Sequence, residues 1–239
     1  MSDQRLLEIE SLDAGYLGTP VVRGLNLHVA AGEVVALLGP NGAGKTTTLS
    51  AIAGLVAPLG GSIRFDGDDI ADTPPHRLAR AGLSLVPEGR SLFFGMTVSE
   101  HLKLAKTGDS LPKEELLEFL PELEKCLNRK AGVLSGGEQQ MLAVGRALVT
   151  RPRLLLVDEM SLGLAPVIVE RLLPILRRVA TDLGAGVLFV EQHVAKALQL
   201  ADRAYVLSHG QLVLEGPAAE LRKRPDLLKS SYLGDVVAA

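Results

Sequence analysis

Short aliphatic blocks alternate with longer stretches of helical period along this chain, and that alternation predicts an α/β fold. Leu25–Ala30, Glu33–Leu38, Leu83–Val86, Leu154–Val157, Val187–Val190 and Ala204–Leu207 are too short for helices, and most end at Gly, Pro or Asp, so they read as buried strands. Near-continuous aliphatic strands of this kind belong to a parallel sheet covered on both faces. Helical spacing predicts helices over Lys45–Gly54, Lys113–Leu127, Gly136–Thr150 and Val167–Asp182. Pro112 suits a helix start, Pro152 lies just past the third helix, and Pro174 predicts a kink in the fourth. Asp66-Gly67 and His209-Gly210, set between extended runs, read as hairpin turns. From about Glu88 to about Arg151 helix signals dominate, which predicts a helical lobe over residues 88–151 inserted into a single domain spanning 1–239. The tail from Gly216 to Ala239 reads as short helices broken at Pro217 and Pro225.

Composition narrows the partners. The chain has 239 residues, enough for a full core without disulfides or a structural metal. Lys and Arg number 25 against 28 Asp and Glu, a net charge of −3, and aromatics are 3% with no Trp. Neither the charge nor the stacking surface suits a nucleic-acid binder. The one cysteine, Cys126, rules out an internal disulfide and a cysteine-rich zinc site; it is expected to pack in a helix without a partner. His28, His76, His101 and His209 lack metal-ligand spacing and are expected at the surface or in turns. Arg222–Arg224 reads as a solvated helix end. The charged start of the chain lacks the apolar core of a secretory signal, and no apolar run approaches the ~18–20 residues of a membrane span. A soluble protein of the cytoplasm is the expectation.

The chemistry sits in three segments. GPNGAGKT, Gly39–Thr46, matches G-x-x-x-x-G-K-[ST] between a strand (EVVALL) and a helical run. Gly39, Pro40, Asn41, Gly42, Ala43 and Gly44 form a loop whose backbone N–H groups can cradle phosphates, with Thr47 in the helix start behind it. Lys45 is expected on the terminal phosphates and the Thr46 hydroxyl on Mg²⁺, so ATP and Mg²⁺ are the expected cofactors. LLLVDE, Leu154–Glu159, is a strand ending in two carboxylates. Asp158 is the expected Mg²⁺ partner, and Glu159 would orient and deprotonate the attacking water. LSGGEQQ, Leu134–Gln140, reads locally as a helix start with a Ser135–Glu138 capping box. Gly136 and Gly137 leave backbone amides bare at a positive helix end, which makes a second anion site.

With those residues in that order the sequence resembles the ATP-binding cassette (ABC) ATPases over nearly its whole length. LSGGEQQ resembles their signature motif. The resemblance implies a P-loop NTPase fold with a mainly parallel core sheet, an antiparallel N-terminal β part and an inserted helical lobe. It also implies a head-to-tail pair of cassettes, in which Ser135, Gly136, Gly137 and Glu138 of one chain contact ATP held by the loop of the other. Tyr16 lies where these ATPases stack an aromatic ring on adenine. Glu88, in VPEGR, stands where most members have a glutamine near Mg²⁺ and water, and is carried over as a Mg²⁺ residue. Gln192, in VEQH, takes the place of the switch histidine, with a one-residue slip to His193 as the alternative.

VPEGR, LSGGEQQML, SLGLAP and VEQ together resemble one branch, the smaller ATPase subunit of bacterial branched-chain amino acid importers. This implies a second ATPase subunit and integral membrane permeases as partners, a periplasmic binding protein acting indirectly, and a place on the cytoplasmic face of the membrane. Phe93, Phe94 and Met96 would form an apolar patch for the permeases, or else lobe core. Among rivals, a related urea or amide importer remains open, as does a non-transport ABC ATPase. Repair-type heads need long coiled coils between the loop and the signature, which the 90 positions from Lys45 to Ser135 cannot hold. A nucleotide kinase has no use for LSGGEQQ.

Overall fold

The computed structural model describes residues 5–105, 109–226 and 228. β1 (Arg5–Tyr16) and β2 (Thr19–Ala30) form an antiparallel hairpin ahead of β3 (Val34–Leu38) and α1 (Lys45–Ile52). Next come β4 (Pro58–Phe65), β5 (Asp68–Asp69), α2 (Pro75–Arg80) and β6 (Leu83–Val86). Helices α3 (Val98–Leu104), α4 (Lys113–Phe119) and α5 (Gly136–Val149) fill the stretch before β7 (Leu154–Val157), where the described residues hold no strand beyond an isolated Thr97–Lys130 bridge. The chain continues through α6 (Pro166–Leu183), β8 (Gly186–Val190), α7 (Val194–Leu200), β9 (Arg203–Ser208), β10 (Gln211–Pro217) and α8 (Ala218–Leu221).

Six strands form the central sheet in the order β10-β9-β3-β8-β7-β6, parallel except for β10. The other four make an antiparallel sheet, β2-β1-β4-β5. Strand β3 shows why the sequence carries aliphatic blocks rather than alternation. Val34, Ala36 and Leu38 enter one core with residues of α5 and α6, whereas Val35 and Leu37 enter a second with β1, β2 and α1. Both faces are covered, so both sets of the two-residue period must be apolar. Leu102, Phe119 and Met141, from the stretch between β6 and β7, join the first core.

Several expectations need correction. The helix expected over Lys113–Leu127 ends at Phe119, and Pro121–Cys126 is a separate 3₁₀ turn. Leu120 stands at φ −133°, ψ 62°, because a residue before proline is pushed out of the α region and Pro121 has no N–H to continue the ladder. The strand expected at Leu25–Ala30 starts at Thr19 and lies in the antiparallel sheet, not the parallel one. His101 is fully buried in α3: Nε2 accepts from the Phe93 N–H (3.0 Å) and Nδ1 lies 2.8 Å from the Thr97 carbonyl. Cys126 is buried as expected but has a partner, donating to Glu138 Oε1 at 3.1 Å. Helix α6 runs through Pro174 to Leu183. Of the tail, β10 reaches Pro217 and α8 covers Ala218–Leu221; residues 227 and 229–239 lie outside the described residues.

Candidate functional site

Parallel strands bring their carboxyl ends to one edge of the sheet, and ligand sites of open α/β sheets form there. GPNGAGKT follows β3, Pro87–Arg90 follows β6, Asp158-Glu159 follows β7 and Glu191-Gln192 follows β8. They surround an open cleft of about 330 Å³ whose lining includes Asn41, Gly42, Gly44, Lys45, Thr46, Thr47, Glu88, Glu159 and Gln192. Val21 and Leu162 also line it.

The loop after β3 leans on its neighbours so closely that side chains are excluded. A Cβ on Gly39 would stand 2.3 Å from the Leu207 carbonyl oxygen, and Gly44, at φ +99°, would meet Val22 at 2.6 Å. Gly44 caps α1 without a side-chain hydrogen bond, which leaves helix-start amides for an anion. Lys45 is only 4% exposed. Its ammonium donates to the carbonyls of Gly39 (2.8 Å) and Pro40 (3.0 Å) and lies 3.7 Å from Glu159 Oε1. Burial lowers the Lys45 pKa, and the charges of Glu159 and Asp158 pull it back. A phosphate entering the cleft offers this cation stronger acceptors than two carbonyls.

Asp158 is buried behind the loop. Its backbone N–H continues the sheet ladder to the Val86 carbonyl (2.9 Å). Burial raises its pKa, a hydrogen bond with Thr46 opposes this, and the carboxylates of Glu159 and Glu88 push it up again. Oδ1 of Asp158 is buried without a hydrogen-bond partner. An orphaned carboxylate oxygen beside a threonine hydroxyl fits Mg²⁺, which takes one or two protein oxygens and completes its shell with phosphate and water. Among the described residues no group of three or more His, Cys, Asp or Glu gathers to hold a metal unaided.

Glu159 adopts φ +44°, strained for a side-chain-bearing residue, with its N–H on the Val190 carbonyl at 3.2 Å. Gln192 Nε2 donates to Glu159 Oε2 at 2.7 Å. His193 caps α7 one residue on and does not line this cleft. Neighbouring Glu191 is 1% exposed and accepts from Ser161 through both the serine Oγ (2.7 Å) and its N–H (3.2 Å). That pair ties the SLGLAP loop to the end of β8. The signal was a carboxylate directly after the fully buried strand GVLFV.

Other residues singled out from the sequence lie elsewhere. Gly39, Pro40 and Ala43 belong to the loop without lining the cleft, and Tyr16, half exposed at the end of β1, stands outside the lining. Ser135, Gly136, Gly137 and Glu138 form the start of α5, also outside it. There the capping box is complete: the Glu138 N–H donates to Ser135 Oγ (3.3 Å) and the Ser135 N–H to Glu138 Oε2 (2.7 Å). Arg129 adds a 2.8 Å bond to Glu138 Oε1. The Ser135 N–H is the largest cause that holds the Glu138 carboxyl down, from 4.5 to about 2.

Residues 22–161 match the ABC transporter family. The chain is 38% identical, over 96% of its length and 100% of the relative's, to the high-affinity branched-chain amino acid transport ATP-binding protein BraG of Pseudomonas aeruginosa. It is also 38% identical, over 96% of its length and 97% of the relative's, to the lipopolysaccharide export system ATP-binding protein LptB of Acidithiobacillus ferridurans. Among solved structures, the ADP conformation of MJ1267, an ATP-binding cassette of an ABC transporter, superposes with a TM-score of 0.81 at 27% identity, covering 96% of this chain and 99% of that one.

Proposed function

The chain belongs to the ABC transporter family of ATP-hydrolysing subunits, and from that premise we propose that it powers import of branched-chain amino acids. One observation carries the ATP-driven part: Lys45, Glu159 and Gln192 converge in a single cleft on the glycine loop. The solute rests on the match to BraG along that protein's whole length, together with VPEGR, SLGLAP and VEQ. A second reading, an ATPase of lipopolysaccharide export, is favoured by the equal identity to LptB.

In this reading ATP lies on the loop with its phosphates at the start of α1 and its adenine toward Tyr16. Lys45 leaves the Gly39 and Pro40 carbonyls for the terminal phosphates. Glu159 holds and polarises the attacking water, and the Gln192 amide fixes the free carboxylate oxygen while donating toward the γ-phosphate. Thr46, Asp158 and Glu88 would hold Mg²⁺, which when bound offsets the charge of the phosphates. The capped start of α5 presents its amides to ATP held by a second cassette, so each site is completed by two chains. ATP then favours the closed pair through contacts made only there.

Residues 88–151 act as the lobe that carries this motif. Phe93 and Phe94, 55% and 63% exposed, face outward with Met96 half-buried beside them and would meet the membrane permeases. Among the described residues no helix is long and apolar enough to cross a membrane. The chain would work on the cytoplasmic face, with a periplasmic binding protein delivering the solute.

The test is uptake of labelled leucine, isoleucine and valine in cells with and without the chain. Loss of uptake supports the import reading. Normal uptake with lipopolysaccharide missing from the cell surface supports the second.

A further inference from the structure

The turn after β6 connects the nucleotide cleft to the start of α5. Glu88 lines the cleft, and two residues on Arg90 reaches the other way. Its Nε donates to Gln140 Oε1 at 3.0 Å and its Nη1 to Gln139 Oε1 at 2.9 Å. Gln139 extends the link: its Nε2 donates to the Ala131 carbonyl (3.0 Å), at the head of the segment that leads into Ser135, and its N–H to the Ser135 carbonyl (2.9 Å). The turn itself is stiff. The Arg90 N–H closes it on the Pro87 carbonyl (3.0 Å), and Ser91 N–H binds the Gly89 carbonyl (2.7 Å). Arg90 and Ser91 both sit at positive φ, +60° and +49°, and Arg146 of α5 donates to the Ser91 carbonyl from the other side. Strained residues held this firmly persist where the surroundings over-determine them. Gln140 is 2% exposed, and its Nε2 has no partner, so this junction is not at its best hydrogen-bonded arrangement.

We propose that Arg90 is a positioning residue that sets the Ser135–Glu138 segment of its own chain from the turn bearing Glu88, so that it governs the ATP held by the opposite cassette. Motion of Glu88 in an occupied cleft turns the rigid Pro87–Arg90 unit. The two-pronged guanidinium, which lysine cannot copy, carries that movement to Gln139 and Gln140. This rests on the paired-cassette reading above.

The test mixes variants of the full chain and measures ATPase. Arg90→Ala alone should lower turnover about tenfold or more while ATP affinity of the single chain stays within about twofold, since Arg90 bonds to Gln139 and Gln140 rather than to the loop that holds its own nucleotide. Mixed with Lys45→Ala, it should regain activity, because one site then carries both lesions and the other neither. Mixed with Ser135→Arg it should not. Recovery with Ser135→Arg in place of Lys45→Ala overturns the proposal, as does a fall in ATP affinity matching the fall in turnover; either means Arg90 serves its own loop. A Lys45→Ala plus Ser135→Arg mixture is the control. If it shows no recovery, the pairing reading has failed, and Arg90 is then judged by a double-mutant cycle with Gln139→Ala. Strong non-additivity supports the link, and simple addition of the two losses removes it. Arg90→Lys should fold with the wild-type melting temperature and still lose most of the turnover, which separates positioning from a packing defect.

Discussion

Lys45 makes its own case at the scale of a single residue. Its buried ammonium donates to two loop carbonyls and lies 3.7 Å from the Glu159 carboxylate, on the wall of the cleft. Lys45→Ala is expected to abolish ATP turnover while leaving the fold intact by circular dichroism; near wild-type hydrolysis would remove the loop from the site. At the end of β8 we propose Gln192 rather than His193 as the residue that faces the γ-phosphate, on the strength of one hydrogen bond. Gln192 donates to Glu159 at 2.7 Å, whereas His193, at the start of α7, makes no capping hydrogen bond with its side chain and lines a smaller neighbouring pocket beside Glu159 and Gln192. Gln192→Ala is therefore expected to lower hydrolysis about tenfold, near 1.4 kcal/mol of transition-state stabilisation, and His193→Ala to change it far less. A dead His193→Ala beside an active Gln192→Ala would reverse the assignment. Lys45, Asp158 and Glu159 were legible because motif spacing and strand ends fix them. Arg90, Glu191 and Ser161 were not, since their partners lie 30 to 50 positions away and only the fold brings them together.

At the scale of elements, the aliphatic blocks mark β3, β6, β7, β8 and β9 because both faces of the parallel sheet are buried. Strands β1 and β4 escaped that pattern. The β1 ladder slips between Ile9 and Leu12, with Ser11 at φ +49°, and this breaks the alternation. β4 opens with Pro58 and carries Gly60 and Gly61, residues that speak against a strand. The start of α5 was readable as a capping box, but Arg129 and Cys126 around Glu138 were not. With its carboxyl held at about 2 rather than 4.5, Glu138 stabilises the fold when ionised. A depressed acid contributes fully above its unfolded value and loses that contribution as pH falls from 4.5 toward 2. Melting curves of wild type and Glu138→Gln should differ most above pH ~5 and converge toward pH ~2. Curves separated by a constant gap would contradict this. Ser135→Ala should cost about 1 kcal/mol through loss of the cap.

For the whole molecule, the sheet edge gathers four loops around one cleft, and the start of α5 stands apart from it; in the paired-cassette reading proposed above these are the two halves of a shared site. That reading would account for a chain with two helix starts suited to an anion. Pairing was implied by resemblance and could not be read from periodicity, since a composite site leaves no mark on the hydrophobic pattern of a single chain. In the proposed reading, closure of the pair depends on ATP surviving until the second cassette arrives, and so on the group that ends its life. The most direct measurement is single-turnover hydrolysis of labelled ATP by Glu159→Gln, with bound nucleotide counted on the same samples. The substitution keeps the shape and the hydrogen bond from Gln192 but removes the charge that polarises water. The expected result is ATP bound as in wild type, with hydrolysis slower by about a hundredfold or more. Hydrolysis at the wild-type rate by that variant would contradict the role assigned to Glu159 and, with it, the cleft as the site of ATP hydrolysis.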